Sequence, residues 1–128
     1  MTIYYAHSQM KYGTEIEKQE IEIILNTYPD AKIINPAEEV DQTAPEPDIM
    51  RWCLNAIRRA DIVVFSAVSN TVGQGVFSEV MYALYKKKPV YYINWSRLQA
   101  FEFYELLPVE GNTDGKSFAC VLTRPSEL

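Results

Sequence analysis

The residues with the most chemical potential lie in the segment Val72-Gly73-Gln74-Gly75-Val76-Phe77-Ser78-Glu79. Gly73 and Gly75 let the backbone approach a ligand and turn into a helix, whose first free N–H groups favour an anion or a polar oxygen. The spacing is neither G-x-G-x-x-G nor a phosphate loop ending in Gly-Lys-Ser/Thr, so no dinucleotide or triphosphate signature is present. Glu79 falls one turn into that helix among Val76, Val80 and Ala83, at the border of an apolar face. A carboxylate so placed is partly desolvated, with a raised pKa or a bound partner. It could act as a nucleophile, a base or an anchor for a pair of ligand hydroxyls. The alternative is a capping or salt-bridging surface glutamate.

Other polar residues join Glu79 through the elements that carry them. Ile3 to Ala6 is a short β-prone run ending in His7 and Ser8, the former being the single histidine of the chain. Tyr4 and Tyr5 point to opposite faces of such a strand, so at most one of them reaches a ligand. Ile62 to Phe65 is a continuous apolar run, the pattern of a central parallel strand covered on both faces, and Ser66, Ser69 and Asn70 follow it. Asn94 closes a further strand, Pro89 to Ile93. The ligand-binding candidates are Tyr5, His7, Ser8, Ser66, Asn70, Gly73, Gly75 and Asn94, with Glu79 as the catalytic candidate. Neither serine sits in a Gly-x-Ser-x-Gly elbow. One histidine and dispersed carboxylates give no metal site, and no cofactor is expected.

Three helices alternate with these strands. Thr14 and Glu17 form a capping box opening a helix with Ile16, Ile21, Ile24, Leu25 and Tyr28 inward. Pro29-Asp30 ends it, and Ala31 to Asn35 is the second strand. Residues 37 to 47 are acidic and proline-containing, and read as a surface loop. Ile49, Trp52, Cys53, Ala56, Ile57 and Ala60 follow helical spacing with Asp48 as N-cap. The glycine segment leads into a helix from about Val76 to Lys87. Arg97 to Leu106 reads as a short helix, whose aromatic residues suit core packing or a subunit interface, and Phe118 to Leu122 as a last strand. Alternation at this spacing implies an α/β fold: a doubly wound, mostly parallel sheet of four to five strands with helices on both faces, flavodoxin- or Rossmann-like. Ligands of such sheets bind beyond the carboxyl ends of the strands, near the switch in strand order. That rule selects Ala6 to Tyr12, Asn35-Pro36, Ser66 to Glu79 and Asn94-Trp95.

The chain of 128 residues has room for one domain, 1–128, and 48% hydrophobic residues give it a core. A net charge of −5 argues against a nucleic-acid or membrane-surface binder. Cys53 and Cys120 share no metal-like spacing and read as small core residues. No signal-like or membrane-length apolar run is seen, so a cytoplasmic location is expected.

The three blocks Ile3-Tyr4-Tyr5-Ala6-His7-Ser8, Leu54 to Ile62, and Val72-Gly73-Gln74-Gly75 with Glu79 to Leu84 and Lys88-Pro89-Val90 together resemble the nucleoside 2-deoxyribosyltransferase family, over roughly residues 1 to 93. The resemblance implies a small-molecule nucleoside or nucleotide ligand, a homo-oligomer such as a dimer, and Glu79 as the carboxylate that attacks the sugar C1′. Cys53 and Thr71 stand where that family has aspartates that position and protonate the base. A relative with altered chemistry is therefore expected: an N-glycosidase or (deoxy)ribosyltransferase, or a non-catalytic sensor or sequestering protein for a nucleotide-like ligand.

Overall fold

The computed structural model describes residues 1–69, 71–101, 106–108 and 119–122, the last two segments by backbone placement alone. Strands β1 (Thr2–Ala6), β2 (Lys32–Ile34), β3 (Ile62–Phe65) and β5 (Val90–Asn94) are parallel, and β6 (Arg97–Ala100) runs antiparallel to β5. Their order is β2-β1-β3-β5-β6, the mostly parallel sheet expected from the sequence. Between them run helices α1 (Glu15–Thr27), α2 (Pro36–Glu39), α3 (Glu46–Arg59) and α4 (Gln74–Tyr85).

Strand alternation divides the core in two. Ile3, Tyr5, Ile62 and Val64 pack with Ile24 of α1 on one face. Tyr4, Ala6, Val63 and Phe65 pack with Cys53, Ala56 and Ile57 of α3 and Val76, Val80 and Ala83 of α4 on the other. All four residues of β3 are buried, as a central strand with both faces covered requires. Phe101 closes the α3–α4 side, meeting Phe65 edge-on at 4.9 Å between ring centroids. The strand order reverses between β1 and β3, which opens a crevice beyond their carboxyl ends.

Several expected elements differ. Arg97–Ala100 is a strand rather than the start of a helix: the two-residue turn Trp95-Ser96 folds it back on β5, with Trp95 at φ 60° and 89% exposed. Phe103 and Tyr104 lie outside the described residues. Pro36–Glu39 is helical because Asn35 Oδ1 accepts from Ala37 N and Pro36 occupies the first turn. α3 starts at Glu46 after Pro45, so Asp48 lies in its first turn and is not its N-cap. In α1, Thr14 is the N-cap as expected, but Ile16 is 54% exposed while Glu17 and Glu20 are buried. Finally, β8 (Ala119–Leu122) joins no strand of the main sheet. It lies between β4 (Thr71–Gly73) and β7 (Leu106–Pro108) in a second, antiparallel sheet. That sheet anchors the glycine segment immediately before α4. Among the described residues no helix is long and apolar enough to cross a membrane.

Candidate active site

A cleft of about 710 Å³ occupies the crevice at the strand-order reversal, within the usual size range of small-molecule pockets. Its floor is set by the ends of β1 and by α4. One wall is the β1–α1 loop, with Ser8, Met10 and Tyr12; the other is the start of α3, with Glu46, Ile49 and Cys53. His7, Ser8, Gly73, Gly75 and Glu79 all line it. A smaller cavity of about 240 Å³ adjoins it and is bounded by Ser8, Met10, Ser66 and Gly73 among others. Ser66 therefore faces the smaller cavity. Tyr5 and Asn94 line neither: Tyr5 Oη donates to Glu20 Oε1, and Asn94 Nδ2 donates to Gln99 Oε1 across the β5–β6 turn. Asn70 lies outside the described residues.

Glu79 points inward from the second turn of α4 and is 9% exposed. Val76, Val80 and Ala83 flank it on the same helix face and are buried too, so helical periodicity carries the carboxyl into the core edge. Burial pushes its pKa up to about 8, the nearby Tyr4 hydroxyl pulling the other way. At neutral pH the group is therefore mainly a carboxylic acid. The Tyr4 hydroxyl is close enough to favour the charged carboxyl, yet neither Tyr4 Oη nor Glu79 Oε2 reaches hydrogen-bond geometry with any described atom. Buried polar atoms are normally satisfied, so an orphaned carboxyl oxygen beside a ligand-sized cleft has the character of a binding group awaiting its partner.

Three proton-bearing side chains surround that carboxyl. Burial, then the Glu79 charge, raises the pKa of Tyr4 and that of Tyr12. The same two causes push the Cys53 thiol up to about 11. The carboxyl thus sits among groups that hold their protons at neutral pH, with no aspartate in contact at position 53. Gly73 is the N-cap of α4 and no side chain caps that end. A Cβ at Gly73 or Gly75 would meet no described atom within 4 Å. The α4 backbone is left open to the cleft, where its first N–H groups favour an anion or polar oxygen.

Behind the β1–α1 loop lies a buried polar network that the sequence reading missed. His7 Nε2 is 2.6 Å from Glu17 Oε2, and Nδ1 is 3.1 Å from the Tyr5 carbonyl oxygen. Each ring nitrogen of His7 thus faces an oxygen within hydrogen-bond distance. The His7 ring stacks on Tyr5 at 3.7 Å and abuts Tyr12 at 4.9 Å. Lys11 Nζ donates to Glu20 Oε2 at 2.8 Å, to Ser66 Oγ at 2.9 Å and to the Ala67 carbonyl at 2.9 Å. Ser66 Oγ in turn donates to Glu20 Oε1 at 2.7 Å. One signal for this network was readable: Glu17, Glu20 and Ile24 share a helix face at spacings of three and four. No group of three or more His, Cys, Asp or Glu side chains able to hold a metal occurs among the described residues.

No protein-family model matches the sequence, and a search of curated proteins finds no match. Among solved structures, the chain is similar to the CMP N-glycosidase BcmB of Clostridium botulinum, with a TM-score of 0.50 and 18% identity. That similarity covers 70% of this chain and 68% of that one. It is a likeness of fold. The α/β architecture is shared.

Proposed function

We propose that the cleft binds a nucleoside or nucleotide and that Glu79 cleaves its N-glycosidic bond. The observation that carries this reading is the buried Glu79 carboxyl, one oxygen unpartnered, at the strand-order switch beside an uncapped helix N-terminus. A sugar offers the hydroxyl pair that such a carboxyl can bind, and a 5′-phosphate suits the free N–H groups of α4. The fold shared with an N-glycosidase that acts on CMP supports the same class of ligand. The chain would act as one nucleoside 2-deoxyribosyltransferase-like domain.

The proton on Glu79 gives the reaction a definite form. Cleavage breaks the bond between C1′ and the base nitrogen, whose electron pair leaves with the base and needs a proton. Glu79 must lose a proton before its oxygen can attack C1′. Attack comes from the face of the sugar opposite the base, so the Glu79 proton passes to solvent and the departing base takes its proton from water on its own side. The ester then formed at C1′ is hydrolysed by water, releasing the sugar and restoring the carboxyl.

Incubation with CMP and cytidine tests the reading. CMP at about a hundred times its Kd should stabilise the protein by roughly 2.7 kcal/mol in thermal unfolding, and free cytosine should accumulate. Stabilisation without cytosine release would identify a binder instead. Absence of both effects across a panel of nucleosides and 5′-nucleotides would overturn the nucleotide assignment.

A further inference from the structure

We infer that Lys11, with Glu20 and Ser66, is a positioning device that clamps the β1–α1 loop as a fixed wall of the cleft. The inference rests on the cleft being the ligand site. The loop presents Ser8, Met10 and Tyr12 to the cleft, with Met10 78% exposed at the rim. Lys11, between them, turns the opposite way and is buried. All three protons of its ammonium group are used, on α1 through Glu20 and on the end of β3 through Ser66 and Ala67. A lysine with no donor to spare does not bind ligand. It joins the two loops on either side of the strand-order reversal, because Ala67 begins the segment that leads to Gly73.

The local backbone is built to receive this tie. The amides of Met10, Lys11, Tyr12, Gly13 and Thr14 are all hydrogen-bonded, to Ser8 Oγ, Ser8 O, Gln9 O, Glu17 Oε1 and Lys11 O respectively. Gly13 takes φ 74°, a left-handed turn that suits glycine. Glu17, which holds Gly13 N, also holds His7. The second buried pair, His7–Glu17, thus supports the same loop from its other end. Exposed ion pairs contribute little, but a buried and fully hydrogen-bonded pair fixes geometry, and removing one partner leaves a stranded charge.

The test compares S66A, K11M and the paired variant K11M/E20Q, which removes both charges together and so avoids the stranded carboxylate. In K11M/E20Q, hydrogen exchange at the amides of residues 10–14 should accelerate at least ten-fold while the β3 amides of Val63 and Val64 keep their protection. S66A should show a smaller acceleration at the same amides. With CMP as the probe, Kd should rise at least ten-fold in K11M/E20Q. Wild-type exchange at residues 10–14 in both S66A and K11M/E20Q would overturn the clamp, as would unchanged CMP affinity in the paired variant. Should the wild-type protein bind no CMP, the nucleotide reading fails, and the exchange measurement alone decides whether the loop is clamped.

Discussion

Replacing Glu79 by glutamine is expected to lower cytosine release from CMP by about a thousand-fold or more, the scale of losing the nucleophile. Glutamine keeps the shape of the side chain and its hydrogen-bonding ends, so α4 and the cleft should persist. It cannot attack C1′ as a carboxylate does. CMP binding should therefore survive better than turnover, and the loss should fall mainly on kcat. A comparison of single-turnover rates with CMP affinity, measured on the same preparation, separates the two. Cytosine release within a few-fold of wild type would remove Glu79 from the chemistry.

The same substitution should change how stability depends on pH. In the folded chain the Glu79 pKa is about 8, against an ordinary value of 4.5. The folded state therefore binds more protons than the unfolded state between those two values. Stability contributed by the neutral carboxyl is complete below about pH 4.5 and is lost as pH rises towards 8. The slope of that loss is about 1.4 kcal/mol per pH unit. Chemical denaturation of wild type and E79Q across this range isolates the effect, because all other titrating groups are common to both. E79Q should gain on wild type steadily with pH and lead by several kcal/mol above pH 8. Parallel stability curves would mean that Glu79 is hydrated or already paired.

Much of this arrangement was legible in the sequence, for identifiable reasons. The continuous run Ile62–Phe65 has the pattern expected of a strand covered on both sides, and its alternation with helices pointed to a mostly parallel sheet with a ligand site at its switch point. That rule led to the β1 end and the glycine segment, and the cleft lies there. The periodicity around Val76, Val80 and Ala83 brought Glu79 to the edge of the apolar face; packing of α4 against β1 and β3 took it further inside than a helical wheel indicates. The β6 hairpin was not legible because its turn is Trp95-Ser96, lacking the Asn-Gly or Asp-Gly signature of such turns. Arg97-Leu98-Gln99-Ala100 does alternate polar and apolar residues, but four residues are too few for that alternation to separate a strand from a helical turn. The pairing of β4 with β8 joins residues about fifty positions apart, a distance over which local patterns carry no information. The Lys11–Glu20 pair escaped for another reason. Lysine and glutamate are taken as solvated unless something shows them buried, and their partners Ser66 and Ala67 are distant in sequence.

The pairing of a buried carboxyl with a ligand-sized cleft is the centre of the account, and carbon-13 NMR of the Glu79 side-chain carboxyl tests it most directly. Titrated with pH in the free protein, that signal should show a midpoint near 8. The midpoint should move when CMP is added, because the ligand supplies the partner that Oε2 lacks. A midpoint in the ordinary carboxylate range, unchanged by CMP, would contradict both the burial of the group and its place in the ligand site.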